Sequence, residues 1–589
     1  MIKKRLQTML LLMVVFLGLW LGYNQCLPPG APGDLDETPI TLSEADTGPD
    51  FQLMLTHIRR MAAEVHSVGS PGLKRTQEYL KNQLKGMGYA YTEDSYQLSM
   101  EGVRDLWRLW RGYYGDPYLP TDEEIRDWAG LSEQDLMELN NILVHVDAPD
   151  TDETIIFMAH TDSVIQGPGA FDDIVSVAAL LEGLRAVQGK EIVRDLLFLF
   201  TDGEEQGLLG AAKFIADHPE YHKRTRLVVN LEARGNAGLL ILFQTTDNNL
   251  GFIETYRQAV SYPFSMSIAT SVYKTMPNDT DLTHFIHAGY PGINLAAIEG
   301  SHVYHTALDN YETFSRDSAL HYLDTAVGLV THLALTPELH LEGRQDAVHF
   351  PFFPGRLAVL PESLANALAH AALALTLLCL FCLLWKKRLA LSSLFLTLGA
   401  QVLILILSGG LTWALLEGMY LLHYRYGFFS EILISEMHYG MHSHVLFIVL
   451  LLASTAGAAL LLRLLWYRNN QRRLAESHYA HLLGVLLLPA LIGEACVWYF
   501  PAGSYLFSLP VLAGLAVMAI RLLFPALTPV FSASSVVLTL LLYTPLVYLL
   551  HTALLIYMAY ITLPVAMLPL TLIAGKIEFT LTASRYKKQ

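Results

Sequence analysis

The sequence predicts an α/β domain with a mainly parallel, doubly wound sheet and helices on both faces, followed by an all-α transmembrane domain. Short apolar runs of strand length alternate with helical patterns between residues 141 and 297, as in βαβ units. Acidic and histidine residues directly follow several of these runs, where an open α/β sheet places its ligand site. After about residue 361 the mixed composition gives way to long apolar runs.

Composition limits the class of protein. The 589 residues are too many for one compact domain, and only 16% are charged while 52% are hydrophobic. A net charge of -16 argues against a nucleic-acid partner, which requires a basic surface. The four cysteines lie at the end of the first apolar run or inside later ones, so no disulfide framework is predicted in the hydrophilic half.

The N-terminal segment, residues 1–25, is predicted to be a signal anchor and transmembrane helix. Lys3, Lys4 and Arg5 precede an apolar stretch from Met9 to Tyr23, and no small-residue cleavage site follows it. Cleavage of this segment is the alternative. Residues 26–50 are rich in Pro, Gly, Asp and Glu, which predicts a solvated linker.

Residues 51–345 are predicted to form the α/β domain. Apolar residues recur every three and four positions from Phe51, which predicts a helix, and a second helix follows around Tyr79 to Leu84. An aromatic and charged stretch over 103–141 is interpreted as an insertion, either a lid or a surface excursion. The predicted core strands are 141–145, 154–159, 195–200, 227–231, 239–244 and 292–297, and the predicted helices between them are 174–187, 208–217 and 251–261.

A linker over 346–360 is predicted to lead into a transmembrane domain over 361–589 with about seven helices. Seven apolar runs there are long enough to cross the hydrocarbon layer of a bilayer. If all seven span, every basic cluster falls on the side of the N-terminal one, and by the positive-inside rule that side is cytoplasmic. These clusters are Lys386-Lys387-Arg388, Arg468 with Arg472-Arg473, and Arg585 with Lys587-Lys588. The α/β domain would then face the periplasm, the extracellular side or an organelle lumen, with membrane lipid as a partner.

The strand ends carry a set of candidate metal ligands. They are His160, Asp172, Glu205, Glu232 and His305. Zinc binds imidazole nitrogen and carboxylate oxygen, and a pair of zinc ions roughly 3.5–4 Å apart can be held by such a set when one carboxylate bridges them. Glu204, beside Glu205, is then the candidate general base that takes a proton from water activated by the metal.

Several motifs together resemble the M28 family of zinc aminopeptidases and carboxypeptidases. They are His160-Thr161-Asp162-Ser163, Pro168 to Asp173, Asp202 to Gly207, Asn230-Leu231-Glu232 and Tyr304-His305-Thr306. With its membrane half, the chain is similar to the endoplasmic-reticulum metallopeptidase branch of that family and its bacterial relatives. The resemblance implies a zinc aminopeptidase-like fold, two zinc ions and a peptide substrate.

The resemblance also implies how the metal is held. It assigns His160 and Glu232 to one zinc ion and Glu205 and His305 to the other, with Asp172 bridging the two. Glu232 stands where many relatives have Asp.

Three further roles follow from the same resemblance. Glu204 is the base, Asp162 orients the His160 imidazole, and Tyr304 hydrogen-bonds the oxyanion. Residues 278–281 match a Ser-Asp-His segment of many relatives only in part, so Asp279 is no more than a candidate supporting residue. Arg234 could bind a substrate carboxylate, but pairing with an acid is the preferred interpretation.

The leading functional hypothesis is a membrane-anchored di-zinc aminopeptidase. The same residues also fit a glutaminyl cyclase-like zinc acyltransferase, which forms pyroglutamate from N-terminal Gln. A third hypothesis is a transporter or scaffold with an appended zinc domain, in which Glu494 inside a predicted span would matter. The oligomeric state is left open by the sequence.

Overall fold

The computed structural model describes residues 2–33, 38–41, 48–129, 136–276, 278–427, 442–462 and 478–582. It divides the chain into two compact units. The α/β unit comprises Leu27–Ser265 and Ala269–Asp346, and the helical unit comprises Met1–Cys26, Met266–Ile268 and Ala347–Gln589. Each unit has its own core and is described separately.

A seven-stranded sheet forms the centre of the α/β unit. Its strands are β1 (Thr92–Leu98), β2 (Met137–Val146), β3 (Thr154–His160), β4 (Asp195–Thr201), β5 (Thr225–Ala233), β6 (Ile241–Thr245) and β7 (Gly292–Ala297). Their order is β1-β2-β4-β3-β5-β7-β6. The four central strands β4, β3, β5 and β7 are parallel, whereas β1, β2 and β6 pair antiparallel. The predicted α/β class is confirmed, with antiparallel strands at both edges.

Helices cover both faces of this sheet. Between residues 51 and 335 they are α2 (Phe51–Met61), α3 (Pro71–Gly86), α4 (Met100–Gly112), α5 (Asp122–Ala129), α6 (Ile174–Val187), α7 (Leu209–Asp217), α8 (Tyr221–Arg224), α9 (Leu250–Ala259), α10 (Ser267–Tyr273), α11 (Leu282–His287) and α12 (Arg316–Leu335). Because side chains alternate along a strand, Ile156 and Met158 face one side, where they pack with Phe214 of α7 and Phe285 of α11. Helix α6 packs on β3 and on α12 and covers the opposite side.

The helical unit contains α1 (Ile2–Asn24) and a series of long apolar helices. The later elements are β8 (Ala347–Phe353), β9 (Arg356–Pro361), α13 (Glu362–Trp385), α14 (Leu391–Tyr426), α15 (His442–Leu462), α16 (His478–Tyr499), α17 (Ser504–Leu523), α18 (Thr528–Leu554) and α19 (Ala559–Thr582), with short 3-10 turns at Pro501–Gly503, Pro525–Leu527 and Ile556–Met558. Among the described residues, seven helices are long and apolar enough to cross a membrane. This matches the number predicted from the apolar runs.

One prediction about this half needs correction. Residues 346–360, predicted to be a linker, lie largely in an antiparallel hairpin of β8 and β9. Residues 347–351 are all buried, His349 among them, which contradicts a solvated linker. Helix α14 is the longest of the described helices, with 36 residues. The basic clusters at 468–473 and 585–588 lie outside the described residues.

Glu494, the acid inside a predicted span, has a partner within the helical unit. Its Oε2 lies 2.9 Å from Nδ1 of His370 on α13. Trp498, one turn later on α16, donates its indole N–H to Oε1 of Glu494 at 3.4 Å. An acid paired in this way, five residues before the end of its helix, fits a position near a membrane interface.

Helix α1 packs on α18 through two glycines. Gly18 and Gly22 are four residues apart, so they lie on one face of the helix, and the spacing is that of the small-residue seams that let membrane helices approach closely. A Cβ atom at Gly22 would lie 2.7 Å from Cβ of Thr544, and one at Gly18 would lie 2.7 Å from Cδ1 of Leu540. The amide of Gln25 donates to the carbonyl of Leu541 at 3.2 Å.

Replacing Gly22 with Leu should therefore destabilise the helical unit. The added side chain cannot fit between the helices without moving α1, and overpacking of this kind typically costs about 1–3 kcal/mol. The unfolding temperature of the full chain in detergent should fall. Leu19→Val, at an exposed position of the same helix, is the control. An unchanged unfolding temperature for Gly22→Leu would contradict the packing of α1 on α18.

Candidate metal centre

The five predicted ligands all lie at one edge of the sheet. His160 ends β3 and Glu232 lies near the end of β5. Asp172 precedes α6, Glu205 follows β4 and His305 lies in the loop after β7. Because β4, β3, β5 and β7 are parallel, their carboxyl ends meet at the same edge. Topology therefore brings together residues that are far apart in the chain.

The ligand atoms form two groups that share Asp172. In the first group, Nε2 of His160 lies 3.4 Å from Oδ1 of Asp172 and 3.7 Å from Oε2 of Glu232. In the second group, Nε2 of His305 lies 3.4 Å from Oδ2 of Asp172 and 2.9 Å from Oε2 of Glu205. In each group the ligand atoms lie within 4.8 Å of one another. The two oxygens of Asp172 thus face different histidines, the arrangement that a bridging carboxylate requires.

The chemistry of these atoms fits a metal ion. Nε2 of His160 and Oε1 of Glu205 are buried and make no hydrogen bond to any described residue. Burial, together with the neighbouring Asp172 carboxylate, raises the pKa of Glu205 to about 7 and that of Glu232 to about 8. Buried carboxylates this close to one another need a cation to remain ionised. Imidazole nitrogen with carboxylate oxygen is a donor set that zinc accepts.

Glu204 lies beside the two groups and belongs to neither of them. Gly203, with φ of 72°, lets the chain turn sharply after β4, a conformation that glycine adopts readily. Asp162, which is fully buried, accepts the backbone N–H groups of Glu204 and Glu205 at 3.1 and 3.2 Å. Burial and the nearby Glu232 carboxylate raise the pKa of Glu204 well above its ordinary value. A carboxyl group held in this way is suited to accepting and releasing a proton.

Asp162 and Asp173 also fix His160. The carbonyl oxygen of Asp162 lies 2.9 Å from Nδ1 of His160, while the Asp162 carboxylate is 3.6 Å from the same atom. The Asp173 carboxylate accepts the backbone N–H of His160 at 3.2 Å. A hydrogen bond at Nδ1 leaves Nε2 available to a metal. The orienting contact predicted for Asp162 is thus made mainly by its backbone carbonyl.

Tyr304 lies directly against a predicted ligand. Its ring stacks on the His305 imidazole, with ring centroids 3.6 Å apart. Among the described residues its hydroxyl has no hydrogen-bond partner. Burial, with the nearby Asp172 and Glu205 carboxylates, raises the pKa of Tyr304 well above its ordinary value. The phenol therefore stays protonated and can donate a hydrogen bond.

Glu232 is supported by a row of amide side chains across the sheet. Asn230 donates to Oε1 of Glu232 at 3.2 Å and to Oδ1 of Asn294 at 3.1 Å. Asn230 and Asn294 are paired residues in the register of β5 and β7. Asn294 in turn donates to Gln244 and Thr280. This row holds one oxygen of Glu232 and leaves the other for the metal.

The sequence pattern pointed to Asp279 as a supporting residue of the site and did not indicate Asp281. Asp281 is 1% exposed and accepts the hydroxyl of Thr201, and its charge raises the pKa of both Glu204 and Glu232. Asp279 lies further out and accepts Trp110 Nε1 at 2.8 Å. Aligning Thr280 and Asp281 with the Ser and Asp of the Ser-Asp-His segment would have indicated Asp281.

The aromatic insertion is fixed beside the loop that carries Glu205. The indole N–H of Trp107 on α4 donates to the carbonyl of Gln206 at 2.8 Å. Tyr113 contacts Nδ1 of His284 at 2.9 Å and stacks on His287 at 3.8 Å. The predicted insertion range was too long, because β2 already begins at Met137.

The ion pair with an acid that was preferred for Arg234 is not seen among the described residues. Arg234 is exposed, and no acid among the residues that the structure describes forms an ion pair with it. Its backbone N–H bonds to Ala297, so the extended strand conformation of β5 continues to this position. The preferred pairing with an acid is therefore wrong for the described part of the chain.

Residues 141–330 match the sequence profile described as peptidase family M28. This part of the chain is similar to the M28 peptidase family. The matched range includes all five candidate ligands with Asp162, Glu204 and Tyr304. The predicted resemblance is confirmed for this part of the chain.

Relatives with the M28 domain include membrane proteins. Endoplasmic reticulum metallopeptidase 1 of Mus musculus is 33% identical over 226 residues, which are 37% of this chain and 25% of the relative. Vacuolar membrane protease of Saccharomyces cerevisiae is 28% identical over 327 residues, 54% of this chain and 32% of the relative. The chain thus spans about a quarter to a third of the length of these relatives. Together with the seven apolar helices, they support an integral membrane protein.

Among solved structures, the aminopeptidase from Aneurinibacillus sp. strain AM-1 is similar at 18% identity and a TM-score of 0.38. That similarity covers 50% of this chain and 96% of the other.

Proposed function

We propose that the α/β unit is a di-zinc aminopeptidase that removes N-terminal residues from peptides outside the cytoplasm, held at the membrane by the helical unit. The observation that carries this proposal is the pair of ligand groups sharing Asp172, with the carboxylate of Glu204 beside them and outside both groups. Hydrolysis requires an acid beside such a pair that does not itself bind the metal. Simple metal storage has no need of one.

His160 and Glu232 would hold one zinc ion, Glu205 and His305 the other, and Asp172 would bridge them. Zinc bound there supplies Lewis acidity, which lowers the pKa of water at the site and polarises the peptide carbonyl. Asp162 keeps the His160 ring in one tautomer through its carbonyl contact to Nδ1.

Glu204 then acts as the general base and acid. Its carboxylate takes the proton of the attacking water and delivers it to the nitrogen of the leaving amine. The hydrogen bonds from the backbone of Glu204 and Glu205 to Asp162 fix the backbone segment that carries this carboxylate. The Tyr304 hydroxyl donates to the oxygen that becomes negatively charged when water attacks the carbonyl.

The site would face away from the cytoplasm. Lys3-Lys4-Arg5 precede α1, and Lys386-Lys387-Arg388 follow α13. If α1 and α13 both span the bilayer, the chain crosses it twice between these two clusters. Both clusters then lie in the cytoplasm, as the positive-inside rule favours, and the α/β unit lies on the other side.

A digest of a peptide library with the full-length protein in detergent tests the proposal. Mass spectrometry should show stepwise loss of N-terminal residues, and the same sample should contain two zinc ions per chain. Loss of C-terminal residues would contradict the aminopeptidase assignment. Loss of ammonia from peptides with N-terminal Gln, with one zinc ion, would establish the cyclase alternative. Digestion that persists after zinc is removed by a chelator would contradict the metal mechanism.

A further inference from the structure

We propose that Asp309 is a positioning residue of the metal centre, whose buried carboxylate fixes the backbone of Asp172 and so holds the bridging ligand between the two zinc ions. This inference rests on the proposed function, since it concerns how tightly the zinc pair is bound. Asp309 is not one of the candidate ligands, and its carboxylate belongs to neither ligand group.

The contacts of Asp309 are directed at two successive backbone groups. Its Oδ1 accepts the N–H of Phe171 at 2.9 Å, and its Oδ2 accepts the N–H of Asp172 at 3.0 Å. Its own carbonyl accepts the N–H of Ala170 at 3.3 Å. The residue is only 3% exposed. Three consecutive backbone N–H groups that lead into the bridging ligand are therefore held by one residue.

The segment that carries Asp172 needs such support because it is neither helix nor strand. It runs from the end of β3 to the start of α6, and its backbone groups lack the regular partners of a sheet. Gly169 has φ of 55°, and a Cβ atom there would lie 2.4 Å from the carbonyl oxygen of Asp172. The turn is thus very tight, and its position depends on hydrogen bonds from outside the segment.

Asp309 also connects the two loops that meet at the zinc pair. It lies four residues after His305, and its N–H bonds to the carbonyl of Thr306. One side of Asp309 is therefore tied to the loop of a second-group ligand, and the other side to the bridging ligand. The separation of 3.4 Å between His305 Nε2 and Asp172 Oδ2 depends on how these two loops are held together.

This support depends on both oxygens of Asp309 acting as acceptors. Hydrogen bonds from backbone N–H groups to a carboxylate are shorter and stronger than those between neutral groups. An asparagine at 309 has nearly the same shape but offers one acceptor oxygen and one N–H₂ donor. The donor would face a backbone N–H, so one of the two bonds would be lost and replaced by repulsion. Outer contacts of this kind typically change metal affinity by about 10- to 100-fold.

The test measures zinc affinity and stoichiometry of the full-length protein in detergent by competition with a chelator. Asp309→Asn should bind the more weakly held zinc ion about 10- to 100-fold less tightly, in protein that is shown to be folded by a cooperative unfolding transition without metal. Glu312→Gln removes an exposed carboxylate from the same loop and should match the parent in both measurements. Zinc affinity equal to that of the parent in folded Asp309→Asn would overturn the proposal.

A second variant covers failure of the first to fold. Asp309→Glu keeps two acceptor oxygens on a longer side chain and should fold with a smaller loss of zinc affinity. If Asp309→Asn does not fold and Asp309→Glu binds zinc as the parent does, Asp309 merely supports the loop and the proposal is wrong. A parent protein that binds no zinc would instead refute the proposed function, so the two failures are distinguishable.

Discussion

Glu204→Gln should keep its zinc and lose nearly all peptidase turnover. Glutamine has the shape of glutamate but cannot take a proton from water, and a general base contributes about 10²- to 10⁴-fold to the rate. Zinc content should be unchanged because Glu204 belongs to neither ligand group. The backbone N–H that bonds to Asp162 is also retained. The measurement is kcat/KM for release of N-terminal residues, together with zinc per chain in the same preparation.

A matched control separates this effect from the loss of any carboxylate. Glu191→Gln changes an exposed acid in the segment just before β4 and should have the activity of the parent. Full turnover by Glu204→Gln would contradict its role as base. Loss of zinc from Glu204→Gln would instead show that the residue is a ligand, and the assignment of Glu205 would need revision.

The central strands were predictable because each is buried on both faces. All seven residues of β3, for example, are buried, and a continuous apolar run identifies such a strand. Strand β1 was not predicted. It is an edge strand whose residues are all exposed or half-buried. Polar residues such as Glu93 and Asp94 are tolerated at these positions, and they interrupt the apolar pattern that would identify a strand. The hairpin of β8 and β9 was missed because Pro351, Pro354 and Gly355 interrupt its short apolar runs.

The candidate ligands were predictable because strand ends converge in a parallel sheet, so position in the chain implies position in space. The residues that hold those ligands were not predictable in this way. Asp309 accepts backbone N–H groups more than 130 residues earlier in the chain. Every residue type except proline has such a group, so the sequence does not indicate which of them Asp309 contacts. The support of Glu232 by Asn230 and Asn294 depends on the register of β5 and β7, which only the folded sheet determines.

Zinc stoichiometry should distinguish the bridging ligand from a ligand of one ion. His305→Ala removes one ligand of the second group, while His160, Asp172 and Glu232 of the first group remain. Asp172→Ala removes a ligand from both groups. We therefore expect His305→Ala to retain about one zinc ion per chain and Asp172→Ala to retain less. Loss of a direct ligand should weaken binding at the affected position by more than about 100-fold, since outer contacts alone reach that value.

The control for both variants is His302→Ala, an exposed histidine in the same loop as His305, which should keep two zinc ions. Zinc per chain is measured by elemental analysis after dialysis against metal-free buffer, with folding checked by the unfolding temperature in detergent. Full occupancy in His305→Ala would contradict its assignment as a ligand. Equal and complete loss in both variants would show that the two ions bind only as a pair. The bridge through Asp172, whose oxygens each lie 3.4 Å from a different histidine, would then control assembly of the whole centre.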